Sequence, residues 1–433
     1  MIRIVSAVSM LLCAAISHAT DIRVIDSEGA AVPTAMVTAS PLEAPPADLS
    51  DNGYPPHGVT NTAAVTITRF TDAQGVATLP EADSARQVRV RAQGFVDAST
   101  RAEPDTASAT VVLQKMTPEQ YIASFPSNVW LSQLTFGGDA ELKKTFQLNC
   151  AFCHQQASPF MRNERTVEQW LAVFARMNSY GARLPAEDHQ AIAEHLQREL
   201  RTLREQPQTV PEPRAWGAHL AEVSMTEWPI GDGFSQMHDF LLHPNGMVYV
   251  GDNLFDRLYE VDPESGEYTV YKVPHRADDD VGGILGNRFT VFPKMYNYMG
   301  VHSFAVSPRD GNIFITPSMQ QALLEFNPTT KAFTIHEMDA GYYPHTIRID
   351  AQDRVWFTLA LSSQVAKFER TSGEFTLYDL PARSIKEWLV LKSLPLLFSI
   401  DPENRPQPAP DREGTGLPMP YGIDVAPDGR IWL

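Results

Sequence analysis

Cys150-Ala151-Phe152-Cys153-His154 places two thiols and an imidazole within one short stretch of chain. On a helical turn, positions i, i+3 and i+4 share one face. Both sulfurs can then reach the two vinyl groups along one porphyrin edge, and the histidine comes under the iron. C-x-x-C-H is the attachment signal of c-type haem. Cys150 and Cys153 are therefore expected to hold one covalent haem, with His154 as the proximal iron ligand. Zinc asks for four ligands, typically from a second Cys or His pair, and the only other cysteine is Cys13. A thioredoxin-like redox pair belongs beside a βαβ pattern, and the sequence around these cysteines has helical periodicity.

A second group of chemical interest is His238, His302 and His345, which hold one place in successive copies of a repeat. His302-Ser303-Phe304-Ala305-Val306 is followed by Ile313-Phe314-Ile315, Leu323-Leu324-Glu325-Phe326 and Phe333-Thr334-Ile335, and the order returns from His345, 43 residues on. An earlier copy starts at His238 and a further one at Tyr421. The period is that of a four-stranded propeller blade. Inner strands of a propeller surround a central channel, so equivalent positions would aim three imidazoles at one axis. They are candidate catalytic residues, converging on a substrate or on an additional metal ion, since imidazole is a common transition-metal ligand. The alternative is a repeat that prefers His at a strand-opening turn, each ring satisfied by backbone. The chain ends at Ile431-Trp432-Leu433, inside a strand pattern. Three and a half copies do not close a ring of about 4–8 blades, so the propeller is expected to be truncated and the protein longer.

The elements that must position these residues divide the chain. Residues 20–116 alternate apolar and polar in short runs (Ile22, Val24; Val65, Ile67; Val88, Val90; Val111, Leu113), the pattern of a small β-sandwich. Residues 117–205 turn helical: Thr117-Pro118-Glu119-Gln120 is a helix start, Trp170, Leu171, Phe174 and Met177 recur at helical spacing, and so do Ile192, Leu196 and Leu200. Residues 206–216 are a Pro-rich linker, and 217–433 carry the repeat. The expected fold class is multidomain: a β-sandwich, an all-α domain, then a partial propeller.

Arg3, the apolar run Ile4 to Ile16 and Ser17-His18-Ala19 read as a cleaved secretory signal over 1–19, which places the mature protein in the periplasm. No later stretch approaches the ~20 apolar residues of a membrane span. A net charge of −17 gives no general attraction for nucleic acid or anionic lipid. With Cys13 removed, the exported chain keeps only the two cysteines of the C-x-x-C-H, in a compartment that permits disulfides freely.

Three resemblances accompany this reading. Val24 to Ala39, Thr71-Asp72-Ala73-Gln74-Gly75 and Ala92-Gln93-Gly94-Phe95 resemble the carboxypeptidase regulatory-like domain, which implies a non-catalytic β-sandwich, here interrupted by a Pro-rich loop around Leu42 to Gly58. Gly137-Gly138, the C-x-x-C-H and Arg176 to Pro185 resemble the class I cytochrome c family. That family places a methionine ahead of its last helix as second axial ligand, which implies Met177 here. A core role beside Trp170 and Phe174 stays open for it. Met161 lies only seven residues after His154, and His189 and His195 are expected on the surface of the last helix. Pro420 to Trp432 resembles the virginiamycin B (streptogramin) lyase family, a likeness covering roughly 228–433 apart from inserts near 276–299 and 382–417. It implies a propeller, and in that family a histidine and a magnesium ion open a cyclic depsipeptide by elimination at positions late in the ring.

Three functions follow. The first is a haem-dependent periplasmic oxidoreductase or dehydrogenase component: the propeller binds a small-molecule substrate and the haem passes electrons to a periplasmic redox partner. The second is a carbon–oxygen lyase with the haem domain as passenger or sensor. The third is a non-catalytic binding scaffold.

Overall fold

The computed structural model describes residues 19–43, 53–151, 156, 158–179, 182, 184–211, 214–284, 296–400 and 419–433. They divide into two compact units, one drawn from Met1–Ala44, Ala64–Ala172 and Glu187–Pro229, the other from Pro45–Ala63, Val173–Ala186 and Ile230–Leu433. Residues 1–18 of the signal segment lie outside the described residues, as do Cys153 and His154.

The chain opens with β1 (Thr20–Asp26), β2 (Met36–Pro41), β3 (Thr60–Thr62), β4 (Thr66–Phe70), β5 (Val76–Leu79), β6 (Arg86–Arg91), β7 (Phe95–Val96), β8 (Ala98–Ala102) and β9 (Ser108–Lys115), and β10 (Ser224–Glu227) follows the helices. In the first unit the sheets run β5-β1-β9-β7 and β10-β4-β2-β6-β8. Every second side chain points inward. Ile22, Val24, Val37, Ala39, Val88, Val90, Val111 and Leu113 accordingly form one core between the sheets. Val65 and Ile67 are only half-buried, and β4 instead buries Thr68 and Phe70. The Thr68 hydroxyl is paired across the strands with Thr38.

Residues 118–205 hold α1 (Pro118–Ser124), α2 (Ser127–Gln133), α3 (Ala140–Cys150), α4 (Val167–Ser179) and α5 (His189–Glu205), with no strand among the described residues. Thr117 and Gln120 close a capping box on α1. Arg162 is buried and donates to the Ala123 and Phe125 carbonyls at 3.0 and 2.8 Å, tying the α3–α4 connection to the end of α1. α5 buries Ile192, Ala193, Leu196, Leu200 and Leu203, a stripe at the helical period.

The second unit contains β11 (Met237–Leu242), β12 (Val248–Asp252), β13 (Arg257–Val261) and β14 (Glu267–Lys272), then β15 (Val301–Val306), β16 (Ile313–Pro317), β17 (Ala322–Asn327) and β18 (Ala332–Glu337). It continues with β19 (Pro344–Ile349), β20 (Val355–Leu359), β21 (Gln364–Glu369), β22 (Glu374–Asp379), a helix α6 (Ile385–Ser399), β23 (Asp424–Val425) and β24 (Ile431–Trp432). Each group of four is antiparallel and ordered as in the chain. The first strands β11, β15 and β19 lie side by side, and β23 follows β19. These are successive blades of a propeller-like architecture.

Two short strands cross the boundaries drawn from sequence. Thr60–Thr62, inside the sandwich segment, pairs with β14 and gives the first blade a fifth strand. Ser224–Glu227, beyond the linker, pairs with β4 of the sandwich.

Neighbouring blades are held by packing and by charge. Tyr249 and Leu258 share a core with Phe304, Ile313 and Leu324 of the next blade. Gly251 permits that approach: a Cβ there would lie 2.7 Å from Phe304 and from Val301. Glu260 of the first blade accepts Lys331 of the second at 2.7 Å, with Tyr249 and Tyr271 on the same carboxylate. One blade on, Arg370 reaches back to Glu325 at 2.9 Å and Asp310 at 2.7 Å, and also binds Asp353. Among the described residues no helix is long and apolar enough to cross a membrane.

Removing one partner of a buried ion pair strands the other charge. Arg370→Met leaves Glu325, Asp310 and Asp353 without their shared cation and is expected to cost about 3 kcal/mol in denaturant unfolding. Lys331→Met, whose ammonium is more exposed, should cost less.

Candidate functional site

Each first strand is bulged at its histidine. The pairing register shifts between Met237 and Asp239, between Val301 and Phe304, and between Pro344 and Ile347. A bulge re-aims the side chain it carries. The three bulges bring the imidazoles together: His238 and His302 have ring centroids 3.8 Å apart, and His302 and His345 4.0 Å. Tyr421 continues the row at 3.8 Å from His345. His302 and His345 are buried, at 4% and 3% exposure, while His238 and Tyr421 are exposed at the two ends.

Hydroxyls on the second strands fix the arrangement. Thr316 donates to the His345 carbonyl at 2.6 Å, and Thr358 donates to the Tyr421 carbonyl at 3.0 Å. Each therefore clamps the ring-bearing residue of the next blade. Ser303 donates to Asp239 at 2.8 Å. His345 Nδ1 lies 3.2 Å from the Tyr421 carbonyl; a carbonyl only accepts, so in this contact Nδ1 carries the hydrogen and Nε2 remains an acceptor. His302 Nδ1 has no hydrogen-bond partner among the described residues.

Burial pushes His302 down to about 2, with the neighbouring imidazoles His345 and His238 adding to it. Burial likewise lowers His345 to about 4, against the opposing pull of the Tyr421 carbonyl. Both are neutral at ordinary pH. Such low values also make them weak proton acceptors, since a general base works best near the ambient pH. The ring planes are tilted by 41° and 50° to one another. Among the described residues no three His, Cys, Asp or Glu side chains are grouped to hold a metal ion. The row as arranged does not fit the additional metal expected from sequence, and no metal chemistry is assigned to it.

In the helical segment, Cys150 is the last residue of α3 and is half-buried, with its carbonyl accepting from Gln156 Nε2 at 2.6 Å. Leu148 and Phe160, on either side of the C-x-x-C-H in the chain, are 67% and 69% exposed. Large apolar side chains left bare on either side of this run in the chain offer surface on which a flat apolar group could rest. Met177 lies in the last turns of α4, half-buried, its carbonyl accepting from Ala182 N at 3.0 Å.

His195 is not the surface residue expected from sequence. Its ring packs against Phe136 with centroids 5.7 Å apart, and its Nδ1 lies 2.8 Å from Glu199. Burial pushes Glu199 up, but His195 and the backbone N–H groups of Thr135, Phe136 and Gly137 outweigh it, leaving the carboxyl below its ordinary value. Gly137 has φ +66°, and a Cβ there would sit 2.8 Å from the His195 ring. This latch fixes the turn that leads into α3, which starts on the Asp139 cap. The signal available in sequence was the i, i+4 pair His195 and Glu199.

No family model matches the chain, and no curated protein matches it. Among solved structures it is similar to virginiamycin B lyase from Staphylococcus aureus, at 14% identity over 37% of this chain and 46% of that one, TM-score 0.29. It is also similar to a streptogramin B lyase, at 16% identity over 46% and 61%, TM-score 0.25. Hydrazine synthase from Kuenenia stuttgartiensis is similar at 9% identity over 35% and 38%, TM-score 0.25. The chain thus spans less than two thirds of the length of each. The blade architecture stands on the sheet order and register above.

In the unfolded chain these histidines take a proton near 6.5, and in the folded one only near 4 and near 2. Between those values the unfolded state binds more protons, so stability falls as pH drops from 6.5 toward 4. His345→Gln should flatten that slope, measured as denaturation midpoints between pH 7 and pH 4.5, values chosen to bracket roughly the titration window.

Proposed function

We propose that the chain is an exported c-type cytochrome. It carries one covalent haem on Cys150 and Cys153, with His154 as proximal ligand and Met177 as distal ligand, and exchanges electrons with a periplasmic redox partner. The observation that carries this reading is the Cys150-Ala151-Phe152-Cys153-His154 run beginning where α3 ends, in a helical segment with bare apolar side chains on both sides. When bound, the haem supplies a one-electron iron centre. The protein's own contribution is positional. The Glu199 latch sets the start of α3, α3 presents Cys150 at its end, and Leu148 and Phe160 offer apolar surface.

The propeller is the substrate-binding part of this proposed oxidoreductase, with the exposed His238 and Tyr421 as contact residues and the buried His302 and His345 holding the row between them. A role in binding is favoured over lyase-type proton abstraction because the two buried imidazoles are held far below the pH at which they would be efficient bases. The imidazole and phenol at the exposed ends can each donate and accept hydrogen bonds, which suits a polar substrate.

The test is expression in cells with a working haem-ligation system, followed by reduced-minus-oxidised spectra and haem staining of the denatured chain. The intact chain should retain haem after denaturation, and Cys150→Ser with Cys153→Ser should retain none. Met177→His should lower the midpoint potential, since a thioether ligand raises it relative to a second imidazole. A purified chain with no Soret absorbance under those conditions would overturn the assignment.

A further inference from the structure

The connection after the third blade is longer than the fold needs. Residues 338–343 suffice to lead from β18 to β19, whereas the chain leaving β22 forms α6 before it reaches β23. Ser384 caps the start of α6 by accepting from Glu387 N at 3.1 Å. Its inner side is tied down: Leu394 and Glu387 are buried, Glu387 is taken by Arg383 at 2.9 Å, and Lys392 reaches Asp379 of β22 at 2.8 Å. The outer side is bare. Ile385 is 80% exposed, Leu389 56% and Leu396 71%.

At helical spacing Ile385, Leu389, Lys392 and Leu396 fall on one line along α6. The Lys392 ammonium is drawn to Asp379, which leaves its aliphatic stem among the apolar side chains. Trp388, 51% exposed, borders the line on one flank, and the exposed Lys386 and Ser393 border it on the other. The helix has a single acidic residue, Glu387, and that one is turned inward to Arg383. Its outer side therefore offers aliphatic groups, an indole and ammonium groups, with no carboxylate of its own. A run of large apolar side chains left in water marks a place where another surface docks.

We propose that α6 is a membrane-docking helix, lying in the headgroup region of a zwitterionic phospholipid bilayer with Ile385, Leu389 and Leu396 entering the acyl chains. Composition selects lipid: an indole and ammonium groups bordering an aliphatic line are the groups that settle at headgroup level. Length sets the orientation. The 15 residues of α6 rise about 22 Å, short of the ~30 Å hydrocarbon core, so the helix lies in the interface plane. Charge sets the headgroup. The bordering cations complement lipid phosphates, whereas the net charge of −17 opposes approach to an anionic surface. The assignment is independent of the haem and of the histidine row.

The test is co-sedimentation of the full chain with phosphatidylcholine vesicles. The intact chain should partition onto them, and mixing in phosphatidylglycerol should not strengthen the partitioning. Leu389→Asp combined with Leu396→Asp should weaken it about ten-fold or more, because apolar burial is lost and charge is set at the acyl boundary. Both positions are exposed, so circular dichroism should show the double variant folded. Trp388→Phe should keep partitioning within about three-fold and remove most of the tryptophan quenching by brominated phosphatidylcholine. No partitioning, undiminished partitioning of the folded double variant, quenching that survives Trp388→Phe, or partitioning only with phosphatidylglycerol present would each overturn the proposal. So would self-association without lipid that the double variant abolishes, which would assign this face to a second copy of the chain.

Discussion

A four-stranded sheet has two faces to hide, and a blade can hide them only against another blade. In the second unit this requirement is met by shared cores, in which Tyr249 and Leu258 meet Phe304, and Phe314 and Leu323 meet Ile347 and Phe357. Glu260 and Glu325 then find their cations on the following blade. Stacking sets the first strands side by side, and the bulges in those strands turn three imidazoles toward one another. The histidine row is thus a product of how sheets pack. Its electrostatics follow from the same cause, since the stacking that buries His302 and His345 keeps them uncharged.

The two chemical centres differ in how far they depend on the fold. The C-x-x-C-H is local: two thiols and an imidazole are presented by a few residues, whatever lies further along the chain. The row is non-local, assembled from residues 64, 43 and 76 apart in the chain and held by threonine hydroxyls reaching between blades. Under the proposed function, electron carriage would draw only on the first, and substrate selection on a surface built from several elements, such as the second.

This contrast also explains what could be read from sequence. The blade repeat was legible because apolar strands recur in fixed order, and the matching of His238, His302 and His345 came with it. The bulges were not, because a register shift depends on which backbone groups pair, and nothing in Met237-His238-Asp239 announces it. The latch between Glu199 and the turn at Thr135 was hidden for another reason: its donors are backbone N–H groups some sixty residues away. α6 showed only as an insert, since a stretch apolar on every side has no periodicity to detect. Thr60-Asn61-Thr62 carries no apolar signal at all.

That last tripeptide has a consequence for the architecture. The outermost strand of a blade presents a row of unpaired backbone groups that invites pairing with another polypeptide. In the first blade the row is occupied by Thr60–Thr62, with Gly58 N and Ala63 N adding bonds to Val270 O and Gly266 O at 2.8 and 3.0 Å. A segment that the sequence assigns to the N-terminal module thus serves as a selvedge for the repeat that follows. Shearing that module away in a shortened protein would not yield a neatly trimmed propeller. It would bare an adhesive hem, and the shortened chain would tend to self-associate along it.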